Sequence, residues 1–115
     1  MRCRHAIGLN HVSIGIEHVG RSARAVLRNP AMMRSSLRLT LWLMATHGIE
    51  ARNVIGHAES LESPFHDEWY DEWRCMTHAD FDHRDMRAYR DRLRDLARAN
   101  DVPVGPSPEW ADPGC

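Results

Sequence analysis

Four residues stand where their types and spacing can do chemistry. His57 follows Gly56 at the end of the apolar run Asn53-Val54-Ile55. Metal-binding and catalytic groups are common at such places, on loops held by a rigid scaffold. His78 and Asp80 are two residues apart in Thr77-His78-Ala79-Asp80. An extended segment points both side chains the same way, so one can ligate a metal while the other faces a substrate. Glu17 closes the alternating run Val12-Ser13-Ile14-Gly15-Ile16-Glu17, with Gly15 leaving room in front of it. A carboxylate at such a strand end is a further candidate. Each residue also has a plainer reading when taken alone: a hydrogen-bonded His at a strand end, a solvated polar loop, a solvated carboxylate.

Other constellations offer ligand types but not a recognisable pattern. His66-Asp67-Glu68 and Cys75-x-x-His78 are the clearest. There is no His-Glu-x-x-His, which a zincin helix needs. A structural zinc site built on Cys75 and His78 lacks a second ligand pair at the usual spacing. Neither Gly-x-Ser-x-Gly nor a Walker loop occurs. The Met32-Met33 pair and Trp69 with Trp73 read as packing residues.

Composition narrows the classes. The 115 residues are one domain's worth, with 43% apolar and 27% charged residues, an ordinary globular balance that argues against global disorder. All 15 basic residues are Arg, set against 16 acids, for a formal net charge of −1. Such a balance gives no footprint for nucleic acid. The longest apolar stretch, Leu39 to Thr46, is far short of the ~20 residues of a membrane span. No apolar leader segment is visible near the start. Cys3, Cys75 and Cys115 are too few and too scattered for a disulfide framework.

These side chains need elements to position them. Val12, Ile14 and Ile16 alternate with Ser13, Gly15 and Glu17, which predicts a strand. The stretch Gly20 to Asn29 reads as an irregular turn. Asn29-Pro30 is a helix start, Met33, Leu37, Leu41 and Met44 recur at helical spacing, and Gly48 is a stop, so a helix is expected over 30–47. Asn53 to Ile55 reads as a second short strand delivering His57. A last helix is expected over 83–99, capped by Asp82, with the stripe Met86, Tyr89, Leu93 and Leu96. The order predicts an α/β fold, a mixed central sheet flanked by helices. Two strands are too few for a stable sheet. From Asp101 the chain holds four Pro and two Gly and is expected to be an irregular tail.

The segment Asn10-His11-Val12-Ser13-Ile14-Gly15-Ile16-Glu17, with Gly20 after it, resembles the Asn-x-x-Ser-Ile-Gly-Ile-Glu-x-x-Gly segment of zinc N-acetylmuramoyl-L-alanine amidases, which share a fold with peptidoglycan recognition proteins. An amphipathic helix, a Val-Ile-Gly-His strand end, a ligand segment and a terminal helix follow in the family's order. The run Ile55 to His66 is similar to a bacterial branch of that family common in high-GC Gram-positive species. The resemblance covers about residues 3–99.

That resemblance implies a zinc-dependent hydrolase (Zn2+ as cofactor) cleaving the amide between N-acetylmuramic acid and L-alanine. Its partner would be peptidoglycan or a muropeptide, and its place the cell wall or the extracellular space. By match, His57 is a zinc ligand, Asp80 is another, Glu17 is the catalytic base, and His78 takes the catalytic Lys/His position. The family's third segment reads Lys- or His-x-Asp-Pro-Gly, whereas here it reads His78-Ala79-Asp80-Phe81. Asp112-Pro113-Gly114 spells Asp-Pro-Gly but follows the terminal helix. The family's first zinc His lies some tens of residues before the Ser-Ile-Gly-Ile-Glu segment, and only twelve residues precede Ser13. Residues 1–100 are therefore expected to be the C-terminal part of an amidase domain, with its N-terminal strands and first ligand missing, and 101–115 its tail. The other reading is a non-catalytic module of the same fold that binds muropeptide.

Overall fold

The computed structural model describes residues 4–115. Among these residues three helices carry the fold: α1 (Ala23–Arg28), α2 (Pro30–His47) and α3 (His83–Ala99). Two 3-10 turns, Ala51–Asn53 and His57–Glu62, lie between α2 and α3.

Local sequence explains each helix. The Ser22 hydroxyl caps α1 by accepting from the Ala25 N–H at 3.1 Å. The Asn29 side chain accepts from Met32 N–H at 3.0 Å, and Pro30 supplies a first-turn φ and lacks a donor that would go unused. Gly48, at φ 66°, turns the chain out of α2 in the left-handed conformation. The Asp82 carboxylate caps α3 through Asp85 N–H at 3.0 Å.

Both long helices fall where their spacing predicts. Met33, Leu37 and Met44 from α2 meet Met86, Tyr89, Leu93 and Ala97 from α3, and Val26 and Ala51 close the core. Leu41 and Leu96, expected in the stripes, are partly buried at its edge. One polar knot pins the seam: the Tyr89 hydroxyl lies 2.8 Å from both Ser36 Oγ and Thr40 Oγ1. The six-residue helix α1 occupies what reads as an irregular turn, and it packs on both α2 and α3.

The sheet is not formed. Among the described residues there is no strand, so the expected mixed central sheet flanked by helices is overturned. A strand exists only through its ladder, and neither expected strand has one among the described residues. Residues 13–19 form no regular element, and among the described residues no backbone hydrogen bond links them to another segment. Ile14 is 54% exposed there. At the second expected strand, side chains take the bonds a neighbouring strand would use. The Val54 carbonyl accepts from the Arg90 guanidinium at 3.0 Å, and Gly56 N–H donates to Glu59 Oε2 at 2.9 Å.

From Asp101 onward the chain has no regular element but is tied down. Ala51 N–H donates to the Val104 carbonyl, and Ala111 N–H donates to the Glu62 carbonyl at 2.7 Å. A disulfide joins Cys75 to Cys115. Three cysteines make no framework, yet two of them bridge 40 residues of sequence. Among the described residues no helix is long and apolar enough to cross a membrane.

Candidate metal centre

His57 opens the second 3-10 turn directly after buried Gly56. A Cβ at Gly56 would lie 1.8 Å from the Phe81 carbonyl oxygen and 2.7 Å from Met86 Cγ. Only glycine lets this backbone lie against the 80–82 segment. Phe81 itself sits at φ 56°, a conformation unusual for a bulky residue, and this turns the chain sharply between Asp80 and α3.

Hydrogen bonds fasten the two segments together. Ala58 N–H donates to the Asp80 carbonyl at 2.9 Å, and the Thr77 hydroxyl donates to the His57 carbonyl at 2.9 Å. Ser60 Oγ lies 2.7 Å from Thr77 Oγ1. Residues 77–80 are thus strapped along the start of the turn, although all four are exposed.

The strapping brings three donors to one point. One ligand atom from each of His57, His78 and Asp80 lies within 4.8 Å of the others. His57 Nδ1 is 3.4 Å from Asp80 Oδ1. The imidazoles of His57 and His78 stack with centroids 4.2 Å apart and planes 29° off parallel. His57 is partly buried, and the other two face solvent.

Behind His57 lies a buried charged group that sequence reading misses. Glu59 is fully buried. Its carboxylate accepts two bonds from Arg90, at 2.7 and 2.8 Å, besides the one from Gly56. His83 Nδ1 lies 2.8 Å from the same carboxylate, and His83 Nε2 lies 2.5 Å from Glu62 Oε2. The spacing of Gly56 and Glu59 is that of a capping box, the one local signal that could have found it.

Glu17 lines a groove of about 970 Å³ that also takes in His57, Asp80, Glu109 and Trp110. Among the described residues Glu17 is exposed and makes no hydrogen bond or ion pair with the donor group. Its neighbour His18 anchors the segment: Nε2 is 2.7 Å from Ser36 Oγ, and the ring lies 5.5 Å from that of Phe81. Burial pushes the His18 imidazole below its ordinary pKa. Asp112 stays apart from the donors and accepts from Gly114 N–H at 2.9 Å.

The structure therefore brings together His57, His78 and Asp80, and Glu17 lines the groove that His57 and Asp80 also line. Two imidazoles and a carboxylate form the kind of three-ligand set that holds a catalytic zinc ion and keeps a position open. The residues present fit such an ion.

A family model described as N-acetylmuramoyl-L-alanine amidase matches residues 1–69. That is more than half of the 115 residues, and the chain belongs to this family of peptidoglycan amidases. The matched part holds Glu17 and His57 and ends before His78 and Asp80. Neither the curated proteins nor the solved structures contain a match to the chain.

Proposed function

We propose that the chain is a zinc-dependent hydrolase that cleaves the amide between the lactyl group of N-acetylmuramic acid and L-alanine in peptidoglycan or its fragments. The observation that carries this reading is the convergence of His57, His78 and Asp80 beside the groove that Glu17 lines. These three residues would hold the ion. His78, which the resemblance puts in the catalytic Lys/His position, is assigned here to the donor set. A zinc ion supplies Lewis acidity, polarising a carbonyl and lowering the pKa of water toward neutrality.

The chain's own residues do the rest. The Glu17 carboxylate takes a proton from the attacking water and passes it to the leaving nitrogen of L-alanine. Glu59, locked by Arg90, keeps the Gly56 N–H and hence the His57 backbone in one place. The groove encloses about 970 Å³ beside these donors. The substrate puts the site of action at the cell wall or in the extracellular space, and the Cys75–Cys115 disulfide supports an oxidising compartment.

The test is hydrolysis of a defined muropeptide by the zinc-loaded chain, followed as release of a peptide with a free L-alanine amine. Release that stops on chelation and returns with zinc is the expected result. Zinc-loaded protein that leaves the muropeptide intact would overturn the assignment.

A further inference from the structure

Residues 69–80 are exposed throughout, so the segment that carries His78 and Asp80 has no core of its own. Its backbone bonds are mainly internal turns around Tyr70–Met76, plus the Ala58–Asp80 bond. Cys75 sits three residues before His78 and is joined to Cys115. Cys115 closes a tail whose 109–111 stretch is itself held through three residues. Ala111 N–H donates to the Glu62 carbonyl. The Trp110 ring lies 5.4 Å from the Arg90 guanidinium carbon and 4.6 Å from the His83 ring. Glu109 lies 3.4 Å from Arg52.

A closed circuit results. The turn His57–Glu62 grips the donor segment at its start, through Thr77 and Asp80. The same turn grips the tail at its end, through Glu62. The disulfide is the covalent link that closes the ring. Buried Arg90 stands behind both arms, since it holds Glu59 and supports Trp110.

We propose that Cys75 and Cys115 are a positioning pair for the metal donors, so that the metal affinity of the His57/His78/Asp80 set depends on the redox state of their disulfide. The inference rests on the metal reading given above. A dithiol reductant supplies the two electrons and two protons: the S–S bond breaks, two cysteine thiols form, and the dithiol closes to its own disulfide. The Thr77 and Ala58 bonds then remain as the ties on an exposed segment. His78 and Asp80 sample positions away from His57, and the apparent affinity drops by the fraction of time the donors are assembled. The Glu109–Trp110 wall of the groove is loosened by the same event.

The test compares the oxidised chain with the double variant Cys75→Ser/Cys115→Ser, which brings no new thiol to the site. Zinc affinity is measured by calorimetry, and hydrogen exchange is followed across 71–82, 105–115, α2 and α3. The expected result is zinc binding weakened roughly 10–100-fold, the range seen when support around metal ligands is lost. Exchange should become faster at 71–82 and 105–115 while α2 and α3 keep their protection. Dithiothreitol should produce the same exchange pattern in the metal-free wild type and no change in the variant. Equal affinity, or equal exchange in both chains, would overturn the positioning role. Loss of protection in α2 and α3 together with 71–82 would also overturn it, because the disulfide would then hold the whole fold. Absence of zinc uptake by the oxidised chain would instead overturn the metal reading beneath it.

Discussion

Glu59 and Arg90 form a fully enclosed, two-pronged ion pair directly behind His57, with N–O distances of 2.7 and 2.8 Å. Neither side chain has meaningful solvent access. Two charges out of water are tolerable only when each is matched, and here both are. The Glu59 carboxylate is satisfied by Arg90, Gly56 N–H and His83, and Arg90 also reaches the Val54 carbonyl.

Removing one partner should therefore be costly. Arg90→Met leaves a buried carboxylate without its cation and is expected to lower stability by about 3–5 kcal/mol. Arg90→Lys should recover only part of this, since an ammonium cannot make the parallel pair of bonds. Urea unfolding followed by helix circular dichroism measures both. A loss below about 1 kcal/mol for Arg90→Met would mean the pair is not the enclosed group described here.

Gly56→Ala tests the close approach of the two donor-bearing segments. The added methyl meets the Phe81 carbonyl, a backbone atom that cannot swing aside. Overpacking of this kind costs about 1–3 kcal/mol, and relief requires moving Phe81 and Asp80 away from His57. Thermal unfolding should shift down and zinc uptake should weaken together. An unchanged melting temperature would show that the segments are not in contact in solution.

His18 predicts a pH dependence of stability. Burial favours its neutral form, so the folded-state pKa lies below the unfolded value of ~6.5. The unfolded chain then binds the proton more readily. The stability this group contributes is complete above about pH 6.5 and declines as pH falls through that value toward the folded pKa. Urea midpoints between pH 7.5 and 5 should fall with acidification, less steeply in His18→Gln. Identical slopes in the two chains would remove His18 as the cause.

Glu17 should separate chemistry from folding. It is exposed and, among the described residues, unpaired, so Glu17→Ala should leave the unfolding midpoint unchanged. Loss of a general base costs about 10²–10⁴-fold in rate. Muropeptide hydrolysis should fall by that amount while muropeptide binding persists. Equal rates in variant and wild type would remove Glu17 from the mechanism.

The two long helices are legible because their signals are local. Asn29, Pro30, Gly48 and Asp82 mark the ends, and Met33, Leu37, Met44, Met86 and Leu93 mark the buried faces within a few residues of one another. The strands are misread for the opposite reason. Val12, Ile14 and Ile16 alternate, but alternation says nothing of a partner, and the Val54 carbonyl is taken by a side chain 36 residues away. At the site, Gly56-His57 and His78-x-Asp80 are visible in sequence as donor types. That His78 stacks on His57, and that Phe81 turns the chain at φ 56°, no spacing reveals. The Glu59–Arg90 pair and the Cys75–Cys115 bridge span 31 and 40 residues and have no local signature beyond the Gly56/Glu59 spacing.

Zinc titration by calorimetry on the metal-free, oxidised chain, with His57→Ala, His78→Ala and Asp80→Ala in parallel, tests the metal centre itself. One zinc ion should bind per chain, with binding lost or severely weakened in each of the three variants. Wild-type affinity retained in all three, or no uptake by the wild type, would contradict it.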